Sequence, residues 1–138
     1  MNPFKQELSR GLSWAVALQL LILSCGPTQT GPSVGVTLFE HPDFEGDSRV
    51  FDGDFNDLRD LRGPCRGFFD SEDEDGDWDG CASSIMLPPG WEATVYEHED
   101  YFGDSLIVTE NIRDLDDVRG PCGSDWDDCI SSIRVHRP

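Results

Sequence analysis

From residue 36 onward, short apolar alternations are separated by glycine and proline, and they come in two sets. Val36-Thr37-Leu38-Phe39 and Ala93-Thr94-Val95-Tyr96 alternate apolar with polar or aromatic positions; residues 48–51, 105–109, 83–87 and 131–135 form further short runs rich in β-branched and apolar side chains. Such runs read as strands. Gly46, Gly53, Gly63-Pro64, Pro88-Pro89-Gly90, Gly103 and Gly120-Pro121 break them up, as turn residues do. No stretch sustains the period of about 3.6 that a helix needs, and residues 56–61 and 112–118 have room for one helical turn each. The pattern predicts an all-β, two-sheet sandwich with Pro88-Pro89-Gly90 as the seam between its halves.

The two sets are copies. VTLFEHPDFEGDS from residue 36 returns as ATVYEHEDYFGDS from residue 93, and both run into RGPC, ending at Cys65 and Cys122. A second block, WDGCASSI (Trp78 to Ile85), is answered by WDDCISSI (Trp126 to Ile133). Between the blocks the first copy carries an acidic insert, RGFFDSEDEDGD (residues 66–77), where the second has GSD. A repeat at this scale marks one supersecondary unit used twice. Motif one spans residues 35–90 and motif two residues 91–138.

Residues 1–24 read as a leader. Lys5 and Arg10 precede an almost continuously apolar stretch from Leu12 to Ser24, and Cys25 follows. A basic segment, a short apolar core and a cleavage point describe a secretory signal peptide; about 20 apolar residues would be needed to span a bilayer. Ile22-Leu23-Ser24-Cys25 resembles a bacterial lipoprotein box, which implies lipidation of Cys25 and membrane attachment through that lipid; ordinary secretion is the alternative. Residues 25–34, rich in Gly, Pro and small polar residues, form a tether. The expected location is outside the cytoplasm, as an envelope lipoprotein or a secreted protein.

Export permits disulfides. With Cys25 set aside, four cysteines remain, two per copy, and the repeat favours the same bridge in each: Cys65 with Cys81, and Cys122 with Cys129. A zinc site built from the four thiolates would need closer spacing and a reducing compartment.

The formal net charge is −18, and losing the leader makes the chain slightly more acidic. Such a surface excludes nucleic acid and anionic lipid as partners, and its self-repulsion favours bound cations. The acids cluster beside the repeated motifs.

Those motifs carry a resemblance. Phe39, Gly46 and Ser48, and again Tyr96, Gly103 and Ser105, have the spacing of the paired Greek-key motifs of the βγ-crystallins. Each copy then supplies a stretch similar to that family's second signature: Asp127, Asp128, Cys129, Ile130, Ser131, Ser132 in full, and Asp79, Gly80, Cys81, Ala82, Ser83, Ser84 with glycine at the second acidic place. Phe39, Tyr96, Gly46, Gly103, Ser48 and Ser105 read as architectural, the ring packing on the turn and the glycine taking a backbone conformation closed to other residues.

The Asp/Ser stretch reads as chemistry. Calcium is a hard cation that collects six to eight oxygens from carboxylates, carbonyls, hydroxyls and water. Resemblance to microbial βγ-crystallins implies one or two calcium ions, each clamped between the copies. One site is expected to combine Asp127, Asp128 and Ser131 with Glu40. The other combines Asp79, Gly80 and Ser83 with Glu97, and is weaker because Gly80 has no carboxylate. The function expected is a calcium-stabilised exported domain with a structural role at the cell surface or in the envelope.

Asp75-Gly76-Asp77-Trp78-Asp79-Gly80 begins like an EF-hand loop, but Met86 stands where the closing Glu belongs and no flanking helices are visible. Asp75 or Asp77 would at most support the neighbouring site. An enzyme is not expected: His41 and His98 are duplicated with the rest, and neither G-x-S-x-G nor H-E-x-x-H occurs. The alternative from a different class is an extracellular partner-binding module, an inhibitor or adhesin, displaying the insert with Phe68 and Phe69.

Overall fold

The computed structural model describes residues 34–65 and 76–138. The leader, Cys25, the start of the tether and insert residues 66–75, with Phe68, Phe69 and Asp75, lie outside the described residues.

Nine strands follow one another in the described chain: β1 (Val36–His41), β2 (Glu45–Phe51), β3 (Arg62–Gly63), β4 (Gly76–Asp77), β5 (Ser84–Met86), β6 (Glu92–Tyr96), β7 (Ser105–Val108), β8 (Arg119–Cys122) and β9 (Ser132–His136). Two antiparallel three-stranded sheets face each other, one in the order β2-β1-β5 and the other β7-β6-β9, and β3 pairs with β4. The predicted alternation holds in both central strands. Val36 and Leu38 in β1, and Ala93 and Val95 in β6, are fully buried, while Thr37, Phe39, Thr94 and Tyr96 turn to the outer faces and stay partly exposed. Phe51, Ile85, Val108 and Ile133 complete the two inner faces, with Leu58, Leu115, Trp78 and Trp126 at the ends of the core. The all-β, two-sheet reading therefore stands, with the chain crossing from one sheet to the other through Pro88-Pro89-Gly90.

The halves are interlocked rather than merely stacked. Phe55 from motif one exchanges backbone hydrogen bonds with Ile133 of β9, at 2.8 and 2.9 Å. Ile112 from motif two does the same with Ile85 of β5, at 2.9 Å each way. Each motif thus lends a short segment to the sheet of the other, and neither sheet is complete without its partner.

The predicted single turns appear in reduced form. Leu58–Asp60 is one turn of 3-10 helix with Asp57 as its cap, and in motif two Val118 N–H bonds to Leu115 at 3.1 Å. Both disulfides expected from the repeat are formed, Cys65–Cys81 and Cys122–Cys129, each with its Cα atoms 5.6 Å apart.

Candidate metal centre

The hairpin between the first two strands of each motif folds over in the same way. Phe39 packs on Phe44 with ring centroids 5.7 Å apart, and Tyr96 packs on Tyr101 at 5.6 Å. The turn needs left-handed backbone at Asp43 and Phe44 (φ 60° and 65°), at Asp100 and Tyr101 (55° and 64°), and at Gly46 and Gly103 (78° and 80°). A side chain at either glycine would also collide with the neighbouring histidine ring, 2.8 Å away at Gly46 and 2.9 Å at Gly103. Left-handed residues other than glycine are costly, so the turns are tied down. Asp43 N–H bonds to the Arg113 carbonyl and Asp100 N–H to the Asn56 carbonyl, both at 2.7 Å and both across to the other motif.

A second tie comes from residues that sequence reasoning passed over. The buried Ser84 hydroxyl donates to the His41 carbonyl at 2.6 Å and accepts from Phe44 N–H at 3.1 Å; Ser132 repeats this with His98 and Tyr101 at the same distances. The serines that the sequence marks as architectural are instead Ser48 and Ser105. These stand opposite Phe39 and Tyr96 in the strand register, exposed on the outer faces. The last serine of each second signature does the fastening, and its invariant place in both copies was the available signal.

Glu40 and Glu97 sit just beyond the aromatic residue, at the irregular end of their strands. Their carboxylates fold back on their own hairpins, accepting from Asp47 N–H and Asp104 N–H, each at 3.2 Å, with His41 and His98 at 3.9 and 3.8 Å.

The two Asp/Ser loops run against each other. Gly80 N–H bonds to the Ile130 carbonyl at 3.0 Å and Asp128 N–H to the Ala82 carbonyl at 3.2 Å. Gly80 and Asp128 are equivalent, and both are left-handed, at φ 55° and 50°. The Glu40 charge is one of several that raise the Asp128 carboxyl. Ser83 N–H bonds to the Phe39 carbonyl, next to Glu40, and Ser131 N–H bonds to the Tyr96 carbonyl, next to Glu97, each at 2.9 Å. Of the residues expected to group as Asp127, Asp128, Ser131 and Glu40, and as Asp79, Gly80, Ser83 and Glu97, the backbone thus sets Ser83 next to Glu40 and Ser131 next to Glu97. Each serine lies beside its own copy's central strand because it immediately precedes the strand that pairs there, β5 after Ser83 and β9 after Ser131.

Electrostatics separates the two loops. The Asp128 carboxyl is held above the usual carboxylate range, first by loss of surrounding water and then by the negative charges of Asp127, Asp125 and Glu40, with His41 acting the other way. The residue as a whole is exposed, which leaves it accessible to an ion from solution. Beside it, Asp127 Oδ1 is buried with no hydrogen-bond partner. The exposed Asp116 carboxyl is also raised, mainly by Asp125, with smaller contributions from Asp114, Asp127 and Asp117. In motif one the residue equivalent to Asp116, counting back from RGPC, is Arg59. Arg59 bonds the Asp57 carboxylate at 2.8 Å and lies 3.3 Å from Glu99. Its guanidinium is held above its ordinary value by Asp57 foremost, with Glu99 and Asp79 adding to it. Motif one thus sets a cation, Arg59, at the place where motif two has the acid Asp116.

Among the described residues, no three His, Cys, Asp or Glu side chains are gathered to hold a metal by themselves. The donor set at Asp127 and Asp128 fits a hard cation instead: two carboxylates, one with an orphaned buried oxygen, in a loop hydrogen-bonded to the Ala82 carbonyl. That is the mixed oxygen chemistry of calcium, which water completes, and it does not suit zinc, which favours nitrogen and sulfur.

No protein-family profile and no curated protein sequence matches the chain. Solved structures do match. The N-terminal domain of protein S shares 25% identity at a TM-score of 0.54, covering 75% of this chain and 97% of its own. A structure concerned with the evolution of the eye-lens βγ-crystallin domain fold shares 23%, at a TM-score of 0.58, covering 78% and 91%. A βγ-crystallin domain from Flavobacterium johnsoniae shares 23%, at 0.53, covering 74% and 93%. The fold is that of a βγ-crystallin domain, built from two Greek-key motifs that bridge into each other's sheets.

Proposed function

We propose that the chain is an exported βγ-crystallin-type domain that binds calcium between its two motifs and uses the ion to lock them together. The observation that carries this reading is the buried, unpartnered Asp127 Oδ1, set in a knot of mutually repelling carboxylates. A buried polar oxygen without a partner is costly, and a bound cation removes both that cost and the repulsion. Asp127, Asp128 and Ser83 would hold the ion beside Glu40. Asp79, Gly80 and Ser131 beside Glu97 form the weaker place, lacking one carboxylate and already served by Arg59. The role is structural rather than enzymatic. Calcium binds the folded chain and not the unfolded one, so its binding energy adds to folding energy. Attachment through a lipidated Cys25 places the domain at the cell envelope.

Thermal melts of the oxidised chain in EDTA and in calcium test this. Calcium at one hundred times its dissociation constant should add about 2.7 kcal/mol for one site, a shift of several degrees for a domain of this size. An unchanged melting temperature at millimolar calcium would reject the proposal.

A further inference from the structure

The Cys122–Cys129 disulfide encloses the residues proposed to hold the ion. Cys129 directly follows Asp128, and Asp125, Asp127 and Asp128 all lie between the bonded cysteines, whose sequence separation is 7. This short covalent ring encloses three carboxylates that repel one another. The loop is also tied by Asp127 N–H to the Asp125 carboxylate at 3.2 Å, Gly120 N–H to the Ser124 carbonyl at 2.9 Å, Asp128 N–H to Ala82 at 3.2 Å, the buried Trp126 with its N–H on the Leu115 carbonyl at 3.2 Å, and bridges from Asp125 to Arg119 and Cys122. Cys129 is buried at 1% exposure, whereas Cys122 is only half-buried, so a small thiol attacks at Cys122. The Cys65–Cys81 bond differs on each count. Its sequence separation is 16, it abuts Gly80 rather than an acid, and Arg59 offsets the charge nearby.

We infer that the Cys122–Cys129 disulfide is a redox gate on the calcium site, closing the Asp125–Asp128 loop into a binding shape when oxidised and releasing it when reduced. This rests on the calcium reading above and adds its regulation. A dithiol is the reductant. Its thiolate attacks Cys122 Sγ, the Sγ–Sγ bond breaks, and Cys129 leaves as a thiolate and takes up a proton. The second thiol of the reagent then displaces Cys122 and becomes a disulfide itself, so two electrons and two protons pass to the protein. Binding linkage is reciprocal: if reduction weakens calcium binding, calcium must make this bond harder to reduce.

The experiment equilibrates the full oxidised chain in dithiothreitol buffers of rising reduced-to-oxidised ratio, in EDTA and in excess calcium. Thiols are trapped by alkylation and assigned by peptide mass mapping, and calorimetry of the oxidised chain measures calcium binding separately. The expected result is that calcium raises the ratio needed to half-reduce Cys122–Cys129 at least tenfold, or about 30 mV for two electrons, and moves Cys65–Cys81 far less. Equal midpoints with and without calcium, in a chain that calorimetry shows to bind it, overturn the gate and leave the calcium site standing. An equal shift at both bonds also overturns it, because the effect would then be global stabilisation. No calcium heat and no shift overturn both proposals together. As a second line, Cys122→Ser with Cys129→Ser, checked for native circular dichroism, should bind calcium at least tenfold more weakly. A folded double variant with unchanged affinity would refute the gate.

Discussion

Gly80 and Asp128 hold the same left-handed backbone position in the two motifs and press against each other: a Cβ on Gly80 would lie 2.9 Å from the Asp128 carbonyl oxygen. The glycine that breaks the acidic signature is thus also the residue that lets the two loops approach. Placing a side chain there meets both left-handed strain and fixed backbone. Gly80→Ala should destabilise the protein by about 1–2 kcal/mol from the backbone preference alone, read as a lower urea midpoint with an unchanged slope. A neutral or stabilising result would show that the loops do not pack as described.

Asp128→Asn should act in opposite directions with and without calcium. An acid whose folded-state pKa is raised contributes stability fully below its unfolded value, about 3.9, and that contribution is lost as pH rises through the raised folded value. At neutral pH the metal-free protein therefore carries a penalty from Asp128 that the uncharged amide does not. In EDTA the variant should melt higher than the parent, and in millimolar calcium lower. Melting curves in which the two shifts share a sign would contradict this account of the site.

The two signature serines make a direct contrast. Ser83, whose N–H bonds to Phe39 next to Glu40, should on mutation to Ala weaken the tighter calcium site on the order of tenfold, about 1.4 kcal/mol. Ser131→Ala, beside Glu97, should leave that site nearly unchanged. Calorimetric titration of the two variants decides it, and the reverse ranking would restore the pairing expected from sequence.

Ser84→Ala and Ser132→Ala remove a buried hydroxyl that joins two backbone groups at the folded hairpin. Leaving those groups unpaired costs about 1–3 kcal/mol per substitution. Denaturant unfolding should show losses of similar size for the two, because their geometry is the same in both motifs.

Arg59→Ala takes the built-in cation away from Asp57, Glu99 and Asp79. In titrations, the weaker motif-one site should then bind calcium more tightly, while the site at Asp128 keeps its affinity. A drop at the Asp128 site instead would mean that Arg59 serves the whole interface.

The strand pattern, the duplication, the disulfide pairing and the aromatic turns were all legible in the chain. Each depends on residues close together in sequence: the alternation of Val36 and Leu38, the interval from Phe39 to Gly46, the cysteines repeated within each copy. Even the special backbone at Gly46 and Gly103 follows from local spacing. The contrast between Arg59 and Asp116 was also present in the sequence, but their charges acquire meaning only once Asp79, Glu99 and Asp125 are brought beside them.

What the chain by itself determined was therefore two similar Greek-key units with oxygen-rich loops. Tertiary structure alone decided how those loops are shared. Two near-identical copies allow Ser83 and Ser131 to serve either motif, and nothing local separates the alternatives. The choice is made by backbone hydrogen bonds between distant segments: Ser83 to Phe39 and Ser131 to Tyr96 within each motif, Gly80 to Ile130 and Asp128 to Ala82 between them. The two loops come together only when Phe55 and Ile112 cross to the opposite sheets, because each sheet then satisfies its edge with backbone from the other copy.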